Sequence, residues 1–337
     1  MSLLVSICIL TYKRARALSE TLDAVLPQVA GRSDVEVFVF DDASPDNTEE
    51  VMRGYCARHP RLRYLRIPVN VGQDGNVVTC IENAAGEYIA LFSDDDLVPP
   101  DFVSRLVNDL VESRPLVAYF NHTPFFNNNP AQLGNPTQPV LKRVFTNPTE
   151  YFLYTGLGFM TALTIKTSEA RKYVQNIARG LCSAHVDIAS RVVLSSSGPF
   201  LFDGTLTVWA RYEINATYDV LTNGAMNISR VHLNLLKEGL LTQADVAWHN
   251  RKTIRLFLPR CIVNNRLNSR KPVPARELRK LYGKEPSFYR LAYPLALIPP
   301  PLLRWVALPL RSLWRMRRAR RLKSGKMGQA AIHLAPP

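Results

Sequence analysis

Tyr88-Ile89-Ala90-Leu91-Phe92-Ser93-Asp94-Asp95-Asp96 is an apolar run of strand length that drives into three consecutive carboxylates, with Pro99-Pro100 closing it. Three adjacent like charges repel one another, so stability alone does not favour them at the end of a buried strand. Carboxylate oxygens are the ligands that hard divalent cations such as Mg2+ and Mn2+ take. The stretch therefore reads as a metal and diphosphate site on a strand end. Pro99-Pro100 then opens a helix with Phe102, Val103, Leu106, Val107 and Leu110 on its apolar side.

Upstream, residues 3–10 read as a buried strand. No basic residue precedes them and Lys13-Arg14 follows, the reverse of a secretory signal. Leu18, Leu22, Val25, Leu26 and Val29 then share one helical face. A second strand over 35–40 ends in Asp41-Asp42, and Ser44 before Pro45 predicts a helix starting there, capped by the serine. A third strand spans 62–67, a helix 73–85 turns Val77, Ile81 and Ala84 inward, and the fourth strand spans 87–92. Alternating strands and helices, with runs too apolar for a one-sided sheet, predict an α/β fold with a mostly parallel sheet covered on both faces.

In such folds ligands bind beyond the carboxyl ends of the strands. Thr11-Tyr12, Asp41-Asp42 and Asp94-Asp95-Asp96 all fall on that edge. Asp41-Asp42 taken alone could simply begin a turn, but turn chemistry is a poor account of all three clusters. No Gly-x-Gly-x-x-Gly follows the first strand and no Gly-x-x-x-x-Gly-Lys-Ser/Thr occurs. A dinucleotide dehydrogenase and a P-loop NTPase are thereby disfavoured.

The 337 residues are 47% apolar, enough for one large domain or two smaller ones. The net charge of +14 is unevenly spread: residues 1–250 hold 21 Lys and Arg against 26 Asp and Glu, whereas residues 251–337 hold 21 against only Glu277 and Glu285. Such asymmetry points to a basic segment that meets anionic lipid or nucleic acid. The five cysteines show no Cys-x-x-Cys or zinc spacing and read as reduced thiols.

Val5 to Arg14, Val39 to Thr48, Asn70-Val71-Gly72, Asn83 to Ala90 and the Asp cluster, in that order and spacing, resemble the family-2 nucleotide-sugar glycosyltransferases of the GT-A fold. The likeness covers residues 3–115 and extends more loosely to about 215. It implies a Rossmann-like, mixed but mostly parallel sheet with a nucleotide-binding half (1–115) and an acceptor half (116–250). By the resemblance Thr11, Tyr12 and Arg14 line the nucleotide pocket, Asp41 accepts from the base, and Asp42 supports the ribose. Asn70, Gly72 and Asp94 complete the nucleotide side, and Asp95 and Asp96 bind Mn2+ or Mg2+. The family's Asp-x-Asp motif has its first Asp at Ser93, so either Ser93 fills that position or the register slips to Asp94–Asp96.

A general base near the acceptor hydroxyl completes such a reaction, usually a carboxylate. The family's acidic Glu-Asp motif falls on His185-Val186-Asp187, which makes Asp187 the candidate base of an inverting transfer, with Val186 where the Glu would be. The rival reading of Asp187 is a carboxylate near a helix N-terminus that pairs with Arg191. His185, Trp209 and Arg211 are candidates for the acceptor side. Gly156–Thr161 reads as an acceptor-facing wall or a packed turn, and residues 121–139, with five Asn and four Pro, as a mobile loop. His122, His185, His232 and His249 could each add a metal ligand or simply be packed.

Residues 286–337 contain ten Arg or Lys and no acidic residue. The apolar stretch at 293–310 is broken by proline and makes a poor membrane span. Arg311, Arg315 and Arg318, interleaved with Trp305, Leu313 and Trp314, suit a helix lying in an anionic interface. A re-entrant hairpin and nucleic-acid binding are the alternatives for this segment. The lipid reading is preferred because acceptors of such enzymes are often lipid-linked. Residues 251–325 are thus expected to form a helical membrane-associating segment, and 326–337 a tail without structure. Together these point to a metal-dependent hexosyl- or deoxyhexosyltransferase in O-antigen or exopolysaccharide synthesis. It would be peripheral on the cytoplasmic face of the bacterial inner membrane and would use a nucleotide-sugar donor and a lipid-linked saccharide acceptor. A sugar-phosphate nucleotidyltransferase and a non-catalytic membrane scaffold are the alternatives.

Overall fold

A computed structural model describes residues 3–126, 129–133, 136–212, 219–269, 272–299, 301–303 and 305. The chain forms two compact units, Met1–Glu213 and Ile214–Pro337. The first begins with the expected alternation: β1 (Val5–Thr11), α1 (Ala15–Val29), β2 (Val35–Asp41), α2 (Thr48–Arg58), β3 (Leu62–Arg66), α3 (Gly72–Asn83), β4 (Tyr88–Ser93) and α4 (Phe102–Ser113). It continues through β5 (Val117–Phe126), β6 (Asn129–Leu133), β7 (Lys142–Phe145), α5 (Pro148–Thr155), β8 (Leu163–Lys166), α6 (Thr167–Arg171), α7 (Ala184–Leu194) and β9 (Phe200–Tyr212).

The nine strands make one sheet in the order β3-β2-β1-β4-β8-β5-β9-β7, with β6 beside β5. β1 to β4 pair in parallel and β5 pairs in parallel with β9, while β8 lies antiparallel between β4 and β5. The sheet is therefore mixed and mostly parallel. α1 packs on α2 and α4, and α3 packs on α6 and α7. Right-handed crossovers place these two groups on opposite faces. The apolar faces read from periodicity are the ones that go inward: Leu18, Leu22, Val25, Leu26, Val77, Ile81, Phe102, Val103, Leu106 and Leu110 are all buried. Gly86 marks the tightest point between β1 and β4, where an added Cβ would lie 2.5 Å from the Ser6 nitrogen.

Two local expectations are corrected. The second helix starts at Thr48, and Ser44 does not cap it. The Ser44 hydroxyl instead accepts from Lys13 N, and the Asp46 carboxylate accepts from the Thr48 amide and hydroxyl. Serine before proline suits a turn as well as a cap, and here the turn prevails. Residues 121–126 and 129–133 are strand rather than loop. Buried Asn121 makes this possible by donating to the Gln138 and Gly204 carbonyls and accepting from the His122 and Gln138 amides at a bulge in the β5–β9 ladder. A side-chain amide stands in where ladder bonds fail.

The second unit is helical: α8 (Ile228–Lys237), α9 (Gln243–Leu256), α10 (Leu258–Asn264), α11 (Ala275–Tyr282), α12 (Pro286–Leu291) and α13 (Tyr293–Leu297) follow a π-helical start at Val220–Asn227. Leu221, Met226, Ile254, Leu258, Ile262, Leu278, Tyr282, Phe288 and Leu303 form its core. The domain edge drawn at residue 250 from charge falls inside α9, because charge follows the solvent face while this core already begins at Leu221. His232 and His249 pack edge to face at 4.1 Å. Among the described residues no helix is long and apolar enough to cross a membrane. Residues 306–337, which carry Arg311, Leu313, Trp314, Arg315, Arg318 and the expected tail, lie outside the described residues.

Candidate active site

The strand registers bring the three polar clusters together. Thr11 lies opposite Asp41 on β2, and Leu10 opposite Ser93 on β4. The Thr11 hydroxyl donates to Asp94 Oδ2 at 2.6 Å, the Tyr12 amide to the same oxygen at 3.4 Å, and the Arg14 guanidinium reaches both Asp94 Oδ1 and Asp95 Oδ2. Lys13 and Ala43 hold positive φ at the tips of the loops after β1 and β2, a strain that non-glycine residues keep only where the surroundings enforce it.

The three aspartates are not equivalent. Asp94 is 3% exposed. Burial pushes its carboxyl up to about 7, with the neighbouring Asp95 adding to the rise and Arg14 opposing it. Asp96 is turned inward: Thr161 donates to one oxygen and the Arg211 amide to the other, while burial, then Asp95, raise its carboxyl well above the ordinary range. Thr21 clamps the same turn by donating to the Asp94 and Asp96 carbonyls. Asp95 keeps 23% of its side chain exposed and holds the Ser93 hydroxyl at 2.6 Å and Arg14. Asp95 is thus the carboxylate that faces out, and the Asp95/Asp96 pairing read from sequence is corrected to Asp95 with Asp96 as internal support.

Asp41 is fully covered. It accepts from the Ser44 amide at 2.9 Å and the Tyr64 hydroxyl at 2.7 Å, and Arg66 stands 3.8 Å away. Asp42 accepts from the Val71 amide at 2.7 Å, and burial raises its carboxyl. Asn70 donates to the Asp42 carbonyl, and Gly72 opens α3 at φ +74°. Asp41 and Asp42 thus shape the loops around the edge, while exposed Tyr12, Arg66 and Asn70 and half-buried Arg14 offer its surface.

Asp187 does not stand open. It is buried on α7, ion-paired with Arg191 at 2.8 Å and accepting from the Ala178 amide at 3.0 Å. Each oxygen already accepts one bond, which fits the rival reading of Asp187 as the partner of Arg191 in a helix ion pair. His185, on the first turn of α7, is nearly covered; its Nδ1 has no hydrogen-bond partner, and burial pushes the ring down to about 4. Leaving a buried acceptor unpaired costs about 1–3 kcal/mol.

Arg211 is also internal, bonded to Glu20 and the Asp95 carbonyl and lying over Phe125. Its expected acceptor role becomes support of the aspartate turn. Trp209 pairs with Leu97 through its backbone in both directions. His122 stacks on Phe159 at 4.2 Å as packing.

Sequence reasoning missed Thr21, Tyr64, Arg66 and Asp74, and named Thr161 only as the end of the Gly156–Thr161 stretch. Asp74 accepts the backbone N–H groups of Leu181 to Ala184, capping α7 from α3. Its position two residues past Gly72, and the Tyr64-x-Arg66 alternation on β3, were the available signals.

Among the described residues no three His, Cys, Asp or Glu side chains converge on a metal position. A single outward carboxylate still fits a Mg2+-type ion, which takes one or two carboxylates and completes its shell with phosphate oxygens and water.

A model of Glycosyl transferase family 2 matches residues 6–164. The abequosyltransferase RfbV of Salmonella typhimurium is 33% identical over 105 residues, 31% of this chain and 32% of that protein. Chondroitin synthase of Pasteurella multocida is 31% identical over 117 residues, 35% of this chain and 12% of that protein. The chain thus matches a third or less of the length of these relatives. S. aureus TarS in complex with UDP-GlcNAc superposes with a TM-score of 0.61 at 16% identity, covering 91% of this chain and 88% of that one. The mannosyltransferase PcManGT from Pyrobaculum calidifontis, in complex with GDP-Man and Mn2+, gives 0.51 at 17% identity over 99% and 86%. These likenesses establish a shared GT-A-type fold.

Proposed function

We propose that this chain, whose residues 6–164 match the model of Glycosyl transferase family 2, belongs to that family and transfers a sugar from a nucleotide-sugar donor to a saccharide acceptor in bacterial surface polysaccharide synthesis. The observation that carries the reading is the turn after β4, where one carboxylate, Asp95, is held outward between buried Asp94 and Asp96 beside Arg14. Residues at the ends of β1, β2 and β4 share this edge, where an α/β sheet binds its ligand. The family and the polysaccharide-synthesising relatives support the same class of reaction.

In this reading Tyr12, Arg14 and Asn70 receive the nucleotide, with Asp41, Asp42 and Gly72 fixing the loops that carry them. Asp95 would hold Mn2+ or Mg2+, which would neutralise the charge of the departing diphosphate. Arg14, which pairs with Asp95 and Asp94, is placed to turn its guanidinium to the phosphates. Attack by the acceptor oxygen opposite the leaving group inverts the anomeric centre. A lipid-linked acceptor and an anionic membrane surface fit the exposed apolar residues and basic charge of the second unit. These features support the reading of a protein peripheral on the cytoplasmic face of the inner membrane.

Calorimetric titration of UDP, GDP and dTDP with and without Mn2+ tests the reading. One nucleotide should bind in a Mn2+-dependent manner, and Asp95→Ala should weaken that binding at least about tenfold, the 1.4 kcal/mol of one charge-assisted contact. Equal binding without metal, or an unaffected Asp95→Ala, overturns the metal assignment. No nucleotide binding at all leaves the membrane scaffold.

A further inference from the structure

Hydrogen bonds from the ends of β2 and β4 lead to the start of α7, where the site as described leaves one side chain idle. From the end of β2, Asp42 holds the Val71 amide beside Gly72, and Asp74 two residues on receives the N–H groups of Leu181 to Ala184. From the end of β4, Asp96 and the Ser93 amide bind Thr161. The segment just before Thr161 carries Gly158, whose backbone bonds the ring of His185. The His185 ring is therefore linked to the turn after β4 through Gly158 and Thr161, and the backbone just before it is held by Asp74. It is 5% exposed, and its Nδ1 is a buried acceptor with no partner. Asp187, two residues on, has both oxygens committed to Arg191 and Ala178.

We propose that His185, through Nδ1, takes the proton of the acceptor hydroxyl during sugar transfer. The inference rests on the transferase reading and deepens it. As the acceptor oxygen forms its bond to the anomeric carbon, the bond from that carbon to the diphosphate breaks. The electron pair leaves with the nucleoside diphosphate and the hydroxyl proton passes to Nδ1. Burial keeps the ring neutral at pH 7, so the lone pair is available. The Gly158 backbone and the Asp74 charge both favour the protonated ring, which steadies the imidazolium once it forms. A ring locked by one nitrogen with the other bare is what a general base requires.

The test uses the full-length chain in Mn2+ with UDP-, GDP- and dTDP-sugars, water standing in for the acceptor hydroxyl and nucleoside diphosphate release as the readout. His185→Asn should lower kcat about a hundredfold or more, with the donor KM within about threefold and the melting temperature unchanged. Added imidazole should restore part of the turnover of His185→Ala. His185→Gln, whose amide can keep the bond to Gly158 but carries no basic atom, repeats the measurement should the asparagine variant not fold. Asp187→Asn should lower the melting temperature while keeping turnover per folded molecule. Turnover of His185→Asn or His185→Gln within about threefold of wild type overturns the inference, as does an Asp187→Asn protein that melts normally but is dead. Wild-type protein that binds no nucleotide, with or without Mn2+, sinks the transferase reading and this inference with it. Normal nucleotide binding with a fully active His185 variant sinks the inference alone.

Discussion

Asp96 accepts from Thr161 and the Arg211 amide inside the protein, whereas Asp95 faces outward to Ser93 and Arg14. Replacing each should therefore break a different thing. Asp96→Ala leaves the Thr161 hydroxyl and the Arg211 amide without their acceptor, and a buried polar group left unpaired costs about 1–3 kcal/mol. The expected outcome is a clear drop in melting temperature. Asp95→Ala removes a partly exposed pair worth about 0–1 kcal/mol and should melt almost as wild type. Thermal scans of the two variants side by side decide this, and equal melting of both would refute the inward placement of Asp96. The sequence announced the cluster through its charge, but it could not rank its members. Which carboxylate faces outward depends on Thr21, Thr161 and Arg211, which lie far away along the chain.

Helix α7 shows how an element can be built from outside itself. Ser183 provides no side-chain cap, and the amides of Leu181 to Ala184, which lead into its first turn, go to Asp74 on α3 instead. A helix start leaves its first N–H groups without partners, and a carboxylate there is favoured both by those bonds and by the helix dipole. Asp74→Ala should therefore loosen residues 181–184 and cost about 2–3 kcal/mol, the worth of bonds to one charged acceptor. Hydrogen exchange should speed at the amides of Leu181 to Ala184 and leave β1 and β4 protected. Unchanged exchange at those amides would refute the remote cap. The first four strands and their helices were legible because their apolar runs and 3.6-residue faces are uninterrupted. β5, β6 and the Asn-rich stretch were not, because Asn121 supplies side-chain bonds that no periodicity encodes. Asp187 carried two readings for a related reason: an aspartate at the start of a helix looks the same in sequence whether it meets a substrate or Arg191.

The charge asymmetry between the two parts of the chain is a property of the whole molecule, and it coincides with an apolar surface in the second unit. Tyr289, Leu291, Leu297 and Leu302 are exposed there, and Trp305 is 77% exposed. The core of the unit is satisfied without them, through Leu278, Tyr282, Phe288 and Leu303. Exposed large apolar residues beside excess positive charge suit an anionic lipid interface, where aromatic and aliphatic side chains enter the headgroup layer and basic ones stay above it. Each Lys or Arg near such a surface adds about 1 kcal/mol, and each fully buried Leu about 1.5–3 kcal/mol. Replacing Leu297 and Trp305 together by glutamate should therefore weaken binding to vesicles containing anionic lipid at least about tenfold, where 1.4 kcal/mol is one decade. Neither residue lies in the first unit, so nucleotide affinity should not move. Co-sedimentation with anionic and zwitterionic vesicles at low and high salt provides the measurement. Binding should be selective for the anionic vesicles and weaker in salt, since screening shortens the reach of the basic residues. Equal binding to both kinds of vesicle, or none to either, would remove the membrane from the account and leave the transferase site standing by itself.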